Sequence, residues 1–588
     1  MTAIVGTVSW GIVPLGYNSS NLAGMSFDSR GNYIKSANDQ LRYQVQYENA
    51  NLSEGIEATT LGQVKNVIFK IEVSVDNINF TTLASIKKLR DIANRKYDND
   101  TSPLLHRFTI DVSELVSDQL SYSLCPINKG TWQSHAYGGM NGGLVIQDNV
   151  VGNNSIDGTP VSLYNVSENG TFRYLKVSAT FGVLNSEGQT VVALTSSGLP
   201  KTLNNAPIIT VINSVNQFET DSTYYEGEFM TNASSPTSNN PKRFLTRCPN
   251  WYYNDSPNNV AYNKLVRMDE QAEFLQWYTY VLFDSSNDSE FYNYAEIFGQ
   301  TFLNNGAVEN TFVLADFNSL LNDRNSTEFE HSQLKMLQQN VSPDFINNNA
   351  FAPQITARPY STPISPITAN THRYALHFKG TYFDDATSAF VRKIHSATNW
   401  FQIDREDENI PYAYVRFHWL NSMGGIDSYT AKRDVVEGLT ISRDVVERKS
   451  SDRTWYQANS GAVSGSESNV SNSSYISDTM RGGDIYKGGR EVSSVNADRV
   501  KSVYTEPLNQ SVAKWLEELI LSPNVWVEME TDATARGFKT NPYLRPSVKE
   551  YIPVIITNSD IESVNQENGL VRFNIEYTLA HKVQTQSN

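Results

Sequence analysis

The sequence predicts a mainly β chain: multi-domain antiparallel β-sandwiches with a few short helices and long polar loops. Three observations predict it. Most apolar segments alternate with polar residues at period two, the pattern of strands with one buried face. The chain has 588 residues, well beyond the ~250–300 at which a single core stops growing. Its polarity is also neutral: only 19% of residues are charged while 59 are Asn, so the surface hydrogen-bonds without carrying much charge. Such a surface suits packing among copies or neighbours.

Leu41, Tyr43, Val45 and Tyr47 alternate with polar residues, and Phe69–Val75 repeats the pattern before a turn at Asp76-Asn77. Arg107–Val112 forms another strand, and Ser113 is placed as the N-cap of a short helix from Glu114 to Leu120. Residues 1–125 therefore read as one β-sandwich. A Gly/Asn-rich stretch from Gly138 to Gly170, read as a long loop or a pair of loose hairpins, opens a second β-rich domain, 126–345. It contains a hairpin turning at Asn185–Gly188, strands at Ile208–Ile212 and Lys242–Leu245, and a segment apolar on both faces, Phe274–Phe283, read as a covered central strand. Residues 346–372, rich in Asn, Pro, Ser and Thr, read as a linker or arm.

The third β-rich domain, 373–588, starts with Tyr374, Leu376 and Phe378 in alternation. A short helix is expected at Thr387–His395. In the next strand Val415, Phe417 and Trp419 share one face, and Asn421–Gly425 is a turn. Residues 449–492 hold few large aliphatics, cannot bury a core of their own and read as a polar arm. Leu508, Val512, Trp515, Leu516 and Leu519 fall at helical spacing, predicting a helix over 507–521 that Ser522-Pro523 stops. Alternation from Val571 to Leu579 predicts a terminal strand.

Composition excludes several function classes. A net charge of −16 and the lack of a basic stripe argue against direct nucleic-acid binding. No apolar run reaches the ~18 residues of a membrane span. The N-terminus lacks the basic and apolar regions of a secretory signal, so manufacture in a cytoplasm without an encoded export signal is expected. Cys125 and Cys248 are the only cysteines, too few for a disulfide framework, and Cys248 is expected as a small buried apolar residue.

The search for catalytic residues, cofactor sites and metal sites yields none in each case. Phosphate loop, nucleophile elbow and zinc-protease motifs are missing, and Gly483–Arg490 lacks the Lys-Ser/Thr pair of a phosphate loop. The eight histidines are scattered. Asp404–Glu408 offers paired carboxylates of the kind glycoside hydrolysis uses, but a run of charges on one loop reads as solvated surface. Stacked aromatics could bind carbohydrate, and most of them sit at core positions of strands.

Four segments carry a resemblance: Phe108–Val116, Lys242–Pro249, Tyr414–Gly425 and Trp515–Val527. Together they resemble structural proteins of the tails of tailed bacteriophages, including ring, collar and baseplate components of crAss-like and marine phages. The resemblance implies a non-enzymatic virion protein of the tail region that forms a ring or sleeve. Its partners would be copies of itself and other phage tail or connector proteins, with no direct nucleic acid and no membrane. The polar arms 346–372 and 449–492 would reach neighbours, with Tyr475, Tyr486, Lys487 and Arg490 as candidate inter-subunit contacts. A receptor-binding or polysaccharide-degrading tail protein is the alternative reading, and a capsid or head-decoration protein a second alternative.

Overall fold

The computed structural model describes residues 3–14, 33–38, 40–49, 61–74, 79–89, 104–120, 144–146, 172–204, 206–215, 230–231, 244–252, 263–268, 273–280, 292–316, 334–353, 362–384, 389–394, 397–405, 414–448, 489–532, 547–558 and 569–580. These residues form a mainly β structure of several sheets around three hydrophobic cores.

The first block contains β1 (Thr7–Ile12), β2 (Tyr33–Ser36), β3 (Arg42–Asn49), β4 (Val64–Ser74), β5 (Thr81–Leu89), β6 (Leu104–Asp111) and α1 (Ser113–Ser117). After β7 (Leu144–Ile146), which joins the second block, it continues with β8 (Phe172–Leu184), β9 (Thr190–Val192), β10 (Thr202–Leu203) and β11 (Ile209–Ile212). One sheet runs β1-β3-β6 and the other β2-β11-β8-β4-β5, with β2 and β11 parallel. Tyr43, Val45, Tyr47, Phe108 and Ile110 of the first sheet meet Val67, Phe69, Ile71, Val177 and Phe181 of the second in one core, which makes a sandwich. The division expected at residue 125 falls inside this core, because β8 is its central strand and lies beyond it. Helix α1 also starts one residue early. Ser113 is its first residue and not its N-cap, and the Asp111 carboxylate accepts the Ser113 N–H at 3.0 Å.

The second block contains β12 (Met230–Thr231), β13 (Trp251–Tyr252), β14 (Lys264–Arg267), β15 (Phe274–Tyr280), β16 (Tyr292–Leu303), β17 (Val308–Asp316), β18 (Leu334–Asn340) and α2 (Pro343–Asn349). It ends with β19 (Thr371–Asp384), β20 (Ala389–Ile394) and β21 (Thr398–Asp404). One sheet runs β13-β21-β19-β16-β17 and a smaller one β12-β15-β18-β7. Their shared core includes Phe244, Leu275, Ile297, Phe312, Tyr374, Leu376 and Phe401. It therefore takes in strands 371–404 that the sequence assigned to the third domain.

Three expectations change here. Residues 389–394 form a strand paired with β19, not a helix; the run Ala-Phe-Val-Arg-Lys-Ile is too short for periodicity to separate the two. Phe244 and Leu245 are buried but lie outside any strand. The described residues of 346–372 are packed rather than free. Ile367 is buried in the core, Ile364 packs against it, and the Asn347 side chain bonds both the N–H and the carbonyl of Ile367 at 2.9 Å.

The third block contains β22 (Val415–Leu420), β23 (Ile426–Ala431), β24 (Arg433–Arg448), β25 (Gly489–Tyr504), β26 (Leu508–Asn509), α3 (Gln510–Leu521), β27 (Val525–Asp532), β28 (Ser547–Ile556), β29 (Leu570–Val571) and β30 (Asn574–Leu579). Its main sheet runs β23-β22-β27-β28-β30-β25-β24. Helix α3 buries Val512, Trp515, Leu516 and Leu519 in the same core as Phe417, Trp419, Ile575 and Tyr577. The helix begins at Gln510, later than expected, where the Asn509 side chain caps it by accepting the Val512 N–H at 2.9 Å.

Candidate assembly interface

The turn after β22 joins all three blocks. Asn421 closes it: its side-chain oxygen accepts the N–H groups of Met423 and Gly425 at 3.0 and 2.9 Å. The same side chain donates to the Leu245 carbonyl of the second block at 2.8 Å. The Ser422 carbonyl accepts the Val215 N–H, which follows β11 of the first block, at 2.8 Å. Gly424 has φ +81° and lies so close to Asn213 that a Cβ would run into the Asn213 carbonyl oxygen. Glycine serves here twice, for its left-handed backbone and for the close approach.

Beneath the turn, charged side chains cross from the second block to the third. Glu273 pairs with Lys264 of its own block and with Arg416 of β22, the latter at 2.6 Å. Arg416 also lies 3.5 Å from Glu528, which approaches His418 Nε2 at 3.1 Å. Asp427 accepts hydrogen bonds from Thr246, Asn421 and the Trp515 indole at 2.6, 3.0 and 2.9 Å. Glu518 of α3 accepts from Ser422 at 2.6 Å and lies 3.5 Å from Arg247.

Burial pushes the Asp427 and Glu518 carboxyls up, Glu518 to about 7, against the pull of Lys264 on the first and of Ser422 and Arg247 on the second. Burial likewise pushes His418 down, so it stays neutral near pH 7. For Lys264 burial acts downward, but the charges of Glu273 and Asp427 outweigh it and raise the amine. The Cys248 thiol, buried in the same region, is pushed well up by desolvation. These groups answer one another across the junction of the second and third blocks. A small cleft beside them is lined by Lys264, Ser428, Thr430, Glu506 and Asn509, but its lysine is already committed to Glu273. Among the described residues no group of three or more His, Cys, Asp and Glu could hold a metal ion, and no helix is long and apolar enough to cross a membrane.

The opposite edge of the third block has a different character. Strands β24 and β25 pair from Arg433↔Tyr504 to Arg448↔Gly489, but β30 pairs only with Val500–Tyr504 of β25. Beyond Val500 the two strands therefore continue as a ribbon. At ~3.3 Å per residue this ribbon projects ~35 Å from the sheet.

Cross-strand register assigns its faces, because directly opposed residues share a side. One face carries Leu439 opposite Arg499, Ile441 opposite Ala497, Arg443 opposite Val495 and Val445 opposite Val492. The other carries Gly438 opposite Val500, Thr440 opposite Asp498, Asp444 opposite Ser494 with a hydrogen bond joining them, and, near the far end, Val446 opposite Glu491. The register shift at Asp444/Val445, with Ser493 as the extra residue, keeps Val492 on the apolar side. Leu439, Ile441, Val445, Val492 and Val495 are between 38% and 53% exposed, so the described residues leave this apolar face uncovered. At its root Glu437 bridges Arg499 at 2.9 Å and Lys501 at 3.4 Å.

Of the four contact residues predicted from sequence, Arg490 lies near the far end of the ribbon and is exposed. Tyr475, Tyr486 and Lys487 lie outside the described residues, as do all of 449–488. Residues 489–492 of the expected polar arm belong to β25. Sequence reasoning missed β24 as its partner; the Leu439/Ile441 alternation was the available signal. Of the carboxylates at 404–408, Asp404 is paired with Lys432 and the residues from Glu406 onward lie outside the described residues. No protein-family model matches the chain, and no curated protein matches it.

Proposed function

We propose that the chain is a non-enzymatic structural protein of a virion, a repeated subunit of a ring or sleeve in the tail, collar or baseplate of a tailed bacteriophage. The observation that carries this reading is the ribbon β24–β25, which leaves its own sheet and holds an apolar face where its own described residues do not cover it. A monomeric soluble protein gains nothing from such a face, whereas a subunit of an assembly does. The body behind it, three cores tied by the Asn421 turn and the buried charges, supplies the rigidity that a closed ring needs. A ring further requires a heterologous contact whose rotation closes on itself. Purified full-length chain should form closed multi-copy particles, read by native mass measurement and electron microscopy. A chain that stays monomeric at tens of micromolar would overturn the reading.

A further inference from the structure

We infer that the ribbon docks by one face only, the face of Leu439, Ile441, Val445, Val492, Val495 and Ala497, onto a second copy of this chain; this deepens the assembly reading and rests on it. Three observations select that face and that occupant.

The first is continuity. Within the sheet, Lys501 stands opposite Tyr577 and Val503 opposite Ile575, both buried in the third core. The apolar side of the ribbon is the outward extension of that core side of the sheet, past the Glu437–Arg499 pair. Inside the block α3 and its neighbours cover this side, and along the ribbon the covering layer is missing among the described residues.

The second concerns the edges. Pairing through the free edges would be β-strand addition, but the extra residue at Ser493 and the charges at Arg443, Asp444, Asp498 and Arg499 blunt them. The face is left as the docking element.

The third is charge. The two strands, 433–448 and 489–504, hold six basic and six acidic residues and are neutral within a chain of net charge −16. An acidic or basic partner is not selected by such a surface. Two copies of this chain, which repel elsewhere, can approach there.

The size of the surface fits a repeated contact. A ribbon of ~35 Å by ~10 Å presents ~350 Å², or ~700 Å² once matched by a neighbour, below the ~1,200 Å² of a standard stable pair. A subunit that gives its ribbon to one neighbour and receives another in return makes the contact twice, and closure of the ring then stabilises what one contact would not.

The experiment uses the full chain with Ile441→Asp or Val495→Asp on the apolar face, and Thr440→Asp or Ser442→Asp on the polar face. Association is read by sedimentation and by co-purification of tagged with untagged chain. The apolar-face variants should keep the wild-type melting temperature and associate about a hundredfold more weakly or worse, while the polar-face variants associate as wild type. A second readout is independent of charge: in a Cys125→Ser background, maleimide labelling of Val495→Cys should be blocked in the assembly and that of Asp498→Cys should not. Rings that persist with Ile441→Asp would overturn this docking face and leave the assembly reading standing. Discrete dimers lost with Ile441→Asp would uphold the face and overturn the ring. A wild-type monomer whose melting temperature falls with Ile441→Asp would show the stripe covered by the chain's own residues 449–488, and would overturn the second-copy occupant.

Discussion

Arg416 of the third block reaches Glu273 of the second with an Nη2 to Oε2 distance of 2.6 Å, and both side chains are almost wholly buried. The pair is the centre of a chain of charges running from Lys264 through Glu273 and Arg416 to Glu528, which the neutral His418 approaches at 3.1 Å. A buried pair gives little net stability over an apolar one, but removing one member leaves the other uncompensated. Arg416→Ala should therefore lose about 3–5 kcal/mol, read as a shift in urea midpoint with little change in slope. A loss under about 1 kcal/mol would mean that the pair does not tie the blocks.

Glu518 makes this junction sensitive to pH. Its folded-state carboxyl is raised from 4.5 to about 7 by burial. A raised pKa means that the folded state holds its proton more tightly, so the stability it contributes is complete below pH 4.5 and is lost as pH rises to about 7. The slope is at most ~1.4 kcal/mol per pH unit for one proton. His418 acts in the opposite sense, since burial lowers it from 6.5 and favours the folded state at higher pH. Asp427 is raised and acts in the same sense as Glu518. Glu518→Gln isolates one term: the variant should gain on wild type steadily between pH 4.5 and 7 and hold that gain above. Parallel stability curves for the two proteins across that range would refute the assignment.

Much of this architecture is written locally. The alternation of Asn574–Leu579 and the helical spacing of Val512–Leu519 reappear as β30 and α3, because one-sided burial imposes those periods, while Val571 and Leu508 pair as short strands instead. In β22 the same logic stops short. Val415, Phe417 and Trp419 share a face as expected, yet Arg416 and His418 on the other face are equally buried, at 2% and 0% exposure. A polar residue between apolar ones reads as solvent-facing unless a second layer covers it, and that layer, with Glu273, lies about 140 residues earlier in the chain. The ribbon was hidden for a related reason. Its strands pair across residues 449–488, so the Leu439/Ile441 alternation of β24 joins Val492 and Val495 of β25 in one face only through the register between them.

The Asn421–Gly425 turn was legible as a turn, but its place as the meeting point of the three blocks was not. Gly424→Ala should test that place. Alanine at φ +81° is strained by ~1–2 kcal/mol, and its Cβ would press on the Asn213 carbonyl for a further ~1–3 kcal/mol. Gly188→Ala is the control, since Gly188 has φ +75° with nothing within 4 Å of the added carbon. The Gly424 variant should melt several degrees below the Gly188 variant. Equal melting temperatures would remove the turn from the joint between the first and third blocks.

The segment linking the ribbon strands can be separated from the ribbon itself. Deleting residues 455–488 leaves 449–454 between Arg448 and Gly489, which are paired at the ribbon's far end. Six residues are enough to close an antiparallel pair, and none of the described residues of the three cores is removed. The shortened chain should therefore keep the wild-type far-ultraviolet circular dichroism and melt within a few degrees of it. The sequence marked these residues as an arm with no core of its own, and they join the two strands at the ribbon's far end, Arg448 and Gly489. Particle formation should fall in the deletion variant while the fold persists. If normal rings form from it, the apolar face of the ribbon holds the contact alone and the linking segment has no part in it.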